Sequence, residues 1–293
     1  MKPCANSNTS SPHFSPGLRL TVVTALILVL AACAVAPQPK SGPYHPSDAP
    51  VTVTRIVHGS YLLDLAGVRL LVDPWYYPRG LVNHREPLGL TFRSLPTIQG
   101  ILITHRHGDH LDSKALEALP DHDVPVVVRP GLSKAVRSAG YANVTELEWW
   151  QTARIADVTI HAVPANHTVD ENGYVVERLG ATVYVAGDTR YFDGMGDIKA
   201  RFPTIDVALI PIGGLRFLGV LSHMRPGDAA RAVSILQPGR VVPTHYGLAV
   251  PRPIYWTAWH PVEDFREALD ALGQDGSRLV VIAPGESWHY YPE

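Results

Sequence analysis

Between Thr104 and Asp112 the chain reads THRHGDHLD, which puts three histidines and two aspartates into nine residues. Imidazole nitrogens and carboxylate oxygens are ligands for Zn²⁺, with Mn²⁺ and Fe²⁺ as alternatives. His105 and His107, spaced i, i+2 on an extended turn, can face one ion from the same side, and Asp109 and His110 then turn toward a second. Three further candidates stand apart: His167 after TIHAVPAN, Asp188 in ATVYVAGDT and His245 at the end of RVVPTH. Asp188 has two oxygens and can bridge two ions. Two such ions lower the pKa of a bound water toward about 7 and stabilise a leaving oxygen, which is hydrolase chemistry.

These candidates close short apolar runs, and those runs must position them. GILIT (100–104) reads as a strand, while Leu111, Ala115, Leu116 and Leu119 recur at helical spacing behind it. The cluster therefore falls on a strand-to-helix turn, at the sheet end where open α/β folds bind ligands. Asp112 opens that helix, where an acidic residue is favourable in any case. VTVTRIV (51–57), YLLDLAG (61–67) and VRLLVDP (68–74) predict a meander turning at Gly67. VPVVV (124–128) and VTIHAVP (158–164) add strands, and YVVERLGATVYVAGD (174–188) predicts a hairpin at Gly180. IDVALIPI (205–212), GRVVPTH (239–245) and SRLVVIAP (277–284) complete the strand series. Two helices separate these last runs: PGDAARAVSIL (226–236), with Pro226 in its first turn, and PVEDFREALDALG (261–273), ending on a glycine. The plan is α/β, two β-rich halves with helices outside, in one domain over 51–293.

Composition limits the function. Hydrophobic residues make up 46% and charged residues 18%, so a sizeable core forms and wholesale disorder is excluded. A net charge of −2 without a Lys/Arg run argues against nucleic acid as a partner. Cys4 and Cys33 both precede the globular part, which leaves it no disulfide and no thiolate ligand. LTVVTALILVLAA (20–32) has the length of a signal-peptide core and is short for a membrane span. It runs into LAAC, which resembles the bacterial lipobox. The expectation is a signal peptide over 1–32, a lipid-bearing Cys33 that anchors the chain to a membrane, and a Pro-rich tether over 33–50. The domain would then sit in the bacterial cell envelope, facing the periplasm or the exterior.

The order His-x-His-x-Asp-His, His167, Asp188, His245, with GDT and THYG around the last two, resembles the metallo-β-lactamase superfamily over nearly all of residues 51–290. The resemblance implies an αββα sandwich with a dinuclear zinc site at its edge. His105, His107 and His167 would hold the first ion, Asp109, His110 and His245 the second, and Asp188 would bridge. Asp109 would also orient the attacking hydroxide. Asp188 stands where zinc β-lactamases carry a cysteine, which argues against β-lactam hydrolysis. VPANH, GYVVE, AGDT, DVALIPIGG, HMRPGDAARA and PTHYG resemble the branch holding ascorbate-6-phosphate lactonase and N-acylphosphatidylethanolamine phospholipase D. In that phospholipase a matching histidine lies near the metals, and this gives His223 a catalytic expectation. Gly227 departs from the acidic residue of that segment, while Asp228 keeps the next one.

The remaining candidates have plainer readings. His161 lies mid-strand and reads as a surface or packing residue; His84, His122, His260 and His289 have no partner pattern, and Asp73 reads as structural. Trp75, Tyr76, Tyr77, Phe92, Trp256 and Trp259 flank the motifs and are candidates to line a substrate groove. The expected function is hydrolysis of a phosphodiester such as a phospholipid. The alternatives are a lactone or ester in a small soluble substrate, a ribonuclease-like activity that the acidic chain disfavours, and a metal-binding envelope lipoprotein without turnover.

Overall fold

The computed structural model describes residues 44–292 apart from Arg79; the apolar run at 20–32, Cys33 and the first part of the Pro-rich stretch lie outside the described residues. Two sheets dominate. In the first, strands β1 (Val51–Val57), β2 (Ser60–Leu65), β3 (Val68–Val72), β4 (Gly100–Ile103), β5 (Val126–Val128), β6 (Val144–Glu146) and β13 (Ser287–Tyr290) run in the order β13-β1-β2-β3-β4-β5-β6. In the second, β7 (Thr152–Ile155), β8 (Val158–Pro164), β9 (Asn172–Arg178), β10 (Ala181–Val185), β11 (Val207–Pro211) and β12 (Arg240–Thr244) run in the order β12-β11-β10-β9-β8-β7. Each sheet joins an antiparallel meander to parallel strands: β3-β4-β5-β6 are parallel in the first, and β10-β11-β12 in the second.

The layering follows from strands that are apolar on both faces. Leu62 and Leu63, Leu70 and Leu71, and Val126 and Val127 are consecutive buried pairs, so successive side chains must enter different cores. Leu63, Leu70 and Val127 pack with Val176, Val183, Leu209 and Val242 of the second sheet, in a central core between the sheets. Leu62, Leu71 and Val126 face outward onto Leu116 and Val136, which belong to helices α1 (Ser113–Ala118) and α2 (Ser133–Ser138). The outer face of the second sheet, including Tyr184 and Ala208, packs on α3 (Met195–Arg201), α4 (Pro226–Leu236) and α5 (Pro261–Ala271). This is the αββα sandwich expected from the sequence.

Local signals behave as the residue types dictate. Leu179 and Gly180 both adopt positive φ between β9 and β10, the conformation that matches the strand twist of a two-residue hairpin. Pro226 and Pro261 start α4 and α5. Pro243 lacks a backbone N–H and is accommodated because β12 is an edge strand.

The expected strand over 277–284 does not form. Gly276–Arg278 is a 3₁₀ turn capped by Asp275, and only Leu279 bridges Val241. Beyond it the backbone is taken by other partners: Arg55 Nη1 donates to Ile282 O, Ala283 N donates to Glu286 Oε2, and Pro284 has no N–H to give. The last strand is β13 instead, paired antiparallel with β1. β6 and β7, short and half-exposed, lie in stretches that read as helix or loop. Among the described residues no helix is long and apolar enough to cross a membrane.

Candidate metal centre

The parallel strands deliver the candidates to one edge of the sandwich. β4 ends at Ile103, just before His105, and β10 ends at Val185, before Asp188. β12 ends at Thr244, before His245, which takes positive φ and turns its ring back over the sheet end. His167 follows β8 after two residues and is held by Arg190, whose guanidinium donates to Asn166 Oδ1 at 2.7 Å and to the His167 carbonyl at 3.2 Å.

Two ligand-competent groups result, and they share Asp188. His105, His107, His167 and Asp188 bring four donor atoms within 4.8 Å of one another; His110, Asp188 and His245 bring three. His105 Nε2 and His167 Nε2 lie 2.9 and 3.1 Å from His107 Nδ1. Asp188 Oδ2 faces the first group, 4.0 Å from His105 Nε2 and 3.9 Å from His167 Nε2, and lies 3.5 Å from His110 Nε2. Its Oδ1 lies 2.9 Å from His245 Nε2.

Those atoms fit metal ions better than they fit one another. His110 Nε2, His245 Nε2 and Asp188 Oδ1 are buried and make no hydrogen bond, although the last two are close enough for one. Buried polar atoms without partners are costly, and a shared cation satisfies all of them at once.

The far nitrogens are fixed from behind. Asp73 accepts from Thr104 N, Thr104 Oγ1 and His110 Nδ1, each at 2.8 Å. Thr244 Oγ1 meets His245 Nδ1 at 2.7 Å, and Ser222 O meets His167 Nδ1 at 2.9 Å. Glu171 Oε1 lies 3.1 Å from His105 Nδ1 and accepts from Asp188 N at 2.6 Å. With Nδ1 engaged, Nε2 of these four rings is left to face the centre, the usual arrangement of metal-binding histidine, while His107 presents its Nδ1. Gly187 allows the Glu171 contact: its φ is +67°, and a Cβ there would overlap Glu171 Oε1.

Glu171, Asp73 and His58 are the parts that sequence reasoning missed or undervalued. Glu171 sits in VDENGY with no spacing to distinguish it from Asp170. Asp73 did carry a signal, because it ends β3 just as the ligand candidates end their own strands. His58, in the β1–β2 turn, is fully buried with neither ring nitrogen bonded; its Nε2 lies 3.7 Å from Asp109 Oδ2. We expect Glu171→Ala to weaken metal binding by about 10- to 100-fold, read by competition with a chromogenic chelator, because His105 and the Asp188 backbone lose one shared anchor.

Two expected residues take other positions. Asp109 belongs to neither group: its Oδ2 lies 3.8 Å from His110 Nε2, and the side chain stands on the wall of the adjoining cavity. His223 is fully buried behind Asp188, with Nδ1 3.3 Å from Asp188 Oδ1 and Nε2 accepting from Leu215 N at 3.3 Å. It does not line the cavity, so the geometry makes it a positioning residue for Asp188. His161 pairs with Glu177 on the sheet, and Asp112 caps α1 while accepting from Tyr76 N and Tyr77 N.

Electrostatics suit cation binding. Burial lowers His105 well below the ordinary imidazole value and also lowers His107 and His245; it brings His167 to about 4. These rings are neutral at pH 7 and present lone pairs. Burial alone would raise Asp188, but His245, His223 and His110 outweigh it and hold the carboxyl well below its usual range. His110 moves the other way: Asp73, Asp188 and Asp109 overcome its burial and raise it.

A group lowered on folding holds fewer protons than in the unfolded chain, so its stabilising contribution is lost as pH falls from 6.5 through its folded value. His110 opposes this, with a contribution that is full below 6.5 and fades as pH rises through its raised value. Six lowered rings, His58 and His84 included, stand against one raised ring and the Glu171 carboxyl that burial raises, and that balance sets the sign. The metal-free protein is expected to melt progressively lower between pH 6.5 and 4.5, in a melting series that a buffered-metal series at the same pH values shows to be metal-linked.

An apolar cavity of about 520 Å³ opens on this cluster. Trp75, Val82, Leu215, Phe217, Val220 and Tyr255 wall it, and His107, Asp109 and Asp188 form its polar end. Of the six aromatics expected there only Trp75 lines it. Tyr76 is buried and stacks on Phe92 at 4.2 Å, while Trp256 and Trp259 pack on Arg252 outside. Phe217 and Tyr255 take their place.

A family model described as "Beta-lactamase superfamily domain" matches residues 68–246, which hold every metal-ligand candidate. The chain belongs to the beta-lactamase superfamily. Superfamily relatives narrow the class. A UPF0173 metal-dependent hydrolase of Pyrobaculum arsenaticum is 31% identical over 237 residues, covering 78% of this chain and 95% of the relative. An uncharacterized protein of Mycobacterium tuberculosis is 31% identical over 297 residues, covering 92% of this chain and 77% of its own. Igni18, a metallo hydrolase from the archaeon Ignicoccus hospitalis, shares the fold at TM-score 0.66 and 23% identity, over 83% of this chain and 99% of that one. This superfamily member is a metal-dependent hydrolase, the class expected first from the sequence.

Proposed function

We propose that the protein holds two divalent ions and cleaves a phosphodiester, with a phospholipid as the class of substrate. The nitrogen and oxygen donors suit Zn²⁺ first, with Mn²⁺ and Fe²⁺ compatible. The observation that carries the reading is the apolar cavity ending on His107, Asp109 and Asp188: its walls suit an acyl portion, and its polar end suits a charged head.

His105, His107 and His167 would hold one ion, His110 and His245 the other, and Asp188 both. The bound ions would supply charge for the phosphoryl oxygens and acidify water. The rest falls to the chain. Asp109, on the cavity wall, accepts a proton from the attacking water and orients it. Asp73, Glu171 and Thr244 keep the ligand rings aimed. His223 steadies Asp188 from behind. Trp75 and Phe217 exclude bulk water from the reacting end. The apolar run and LAAC support export and a lipid anchor at Cys33, which would hold the enzyme at a membrane where such a substrate lies.

A specific observation favours a second reading. Among the described residues no lysine or arginine lines the cavity, so a neutral ester or lactone fits these walls without further counter-charge. One panel decides between them on the zinc- and manganese-loaded full chain: an N-acylated phosphatidylethanolamine, a generic phosphodiester, simple lactones and a β-lactam. We expect phosphodiester cleavage above lactone cleavage and negligible β-lactam turnover. Lactones as the best substrates, with phosphodiesters untouched, would move the assignment to the second reading.

A further inference from the structure

Beside the cavity mouth, Arg216–Phe217, Val220–Leu221 and Tyr255–Trp256 form a small three-stranded ribbon. Phe217, Val220 and Tyr255 share one face by register and line the cavity. The ribbon's tip is apolar and bare: Leu218 is 70% exposed at positive φ, and its N–H donates to Ile254 O at 2.9 Å, which brings the half-bare Ile254 beside it. Trp256 is 46% and Trp259 70% exposed, and both stack on Arg252, whose guanidinium carbon is 5.0 and 3.8 Å from their rings. The exposed large apolar side chains thus wrap the ribbon: Leu218 and Ile254 at its tip, Phe217 and Val220 on the cavity face, and Trp256 on the opposite face with Trp259 just beyond it. Scattered single hydrophobics need no explanation, but a contiguous patch marks an interaction surface.

Charge and residue type select the partner. Segments 213–222 and 247–260 contain Arg216 and Arg252 and not one Asp or Glu, in a chain whose acidic residues outnumber its basic ones; the nearest acids downstream, Glu263 and Asp264, begin α5. Tryptophan beside arginine, around an aliphatic tip, is the composition of a bilayer interface, where the ring lies at headgroup level and the cation meets phosphate. We propose that this ribbon is a membrane-docking surface for anionic phospholipid bilayers, with Leu218 and Ile254 entering the acyl boundary and Arg252 and Arg216 on the headgroups. The cavity mouth would then open against the lipid. The inference deepens the phospholipid reading but does not need turnover for its test.

The full chain is mixed with vesicles of phosphatidylglycerol and phosphatidylcholine whose acyl chains carry bromine, and tryptophan quenching is followed against lipid concentration. The chain has six tryptophans, so the signal of Trp256 and Trp259 is read as the difference between the wild type and the variant lacking both. Wild-type emission is expected to be quenched. Trp256→Phe with Trp259→Phe is expected to lose most of that quenching, which identifies the reporting side chains. Leu218→Asp is expected to raise the lipid concentration at half-quenching by about tenfold, the loss expected from one unburied leucine, with metal content unchanged. Arg252→Gln is expected to weaken the response on phosphatidylglycerol vesicles and not on pure phosphatidylcholine.

Absence of quenching in the wild type would overturn the proposal, as would Leu218→Asp behaving like wild type. Self-association that covers Trp256 and Trp259 and is abolished by Leu218→Asp, without a lipid response, would assign the patch to a second copy of the chain instead. Vesicle binding without phosphodiester cleavage would sink the substrate reading alone.

Discussion

Asp188→Ala is expected to abolish hydrolysis and strip the protein of most of its metal. Among the described residues no other side chain belongs to both ligand groups: its Oδ2 faces His105, His167 and His110, and its Oδ1 faces His245. Its loss also leaves the buried His223 Nδ1 facing nothing. Removing a charge shared by two cations costs several kcal/mol of binding, so activity should fall on the order of a thousandfold or more. Metal analysis of purified protein reads the effect directly: close to two ions per wild-type chain and well under one in the variant. His161→Ala is the control, since His161 meets Glu177 on the sheet surface, away from both groups. A variant that kept both ions would show that the two groups bind independently and that Asp188 does not bridge.

The sequence made the ligand candidates legible because each follows the end of a strand, and strand ends are marked by apolar runs. The same regularity exposed the two halves of the sandwich and the starts of α4 and α5 at Pro226 and Pro261. What it left hidden is contact between residues far apart in the chain. Glu171 reaches His105 across 66 positions of sequence, and nothing near Glu171 records that. His58 comes to Asp109 only because the β1–β2 turn folds over the end of the first sheet. The 277–284 run failed for a related reason: its composition is that of a strand, but Arg55, Glu286 and Pro284 deny it the hydrogen bonds of one. Trp256 was placed in the right neighbourhood but on the wrong face of the ribbon, because side-chain facing follows register, and two-residue strands carry too little pattern to fix it.

Glu86→Ala is expected to be the most destabilising single substitution outside the metal groups. Arg55 is fully buried, and its guanidinium donates to Glu86 Oε2 at 2.6 Å and Oε1 at 3.3 Å, gives one further bond to Ile282 O, and lies 4.2 Å over the Tyr246 ring. Glu86 is itself buried beneath Gly247, where a Cβ would overlap its carboxylate. Removing it leaves a permanent cation in the interior with one carbonyl and one ring for company, which costs about 3–5 kcal/mol. In a domain of this size that lowers the melting temperature by about 10 °C. The site should suffer too, because Tyr246 follows His245 directly and Arg55 packs against it. Replacing both partners by apolar residues, Arg55→Met with Glu86→Leu, removes the stranded charge and should recover most of the loss. Chemical denaturation of the two variants beside the wild type decides it. A double variant as unstable as Glu86→Ala would mean that the pair matters for its bonds to Ile282 and Tyr246 and not for the charge it neutralises.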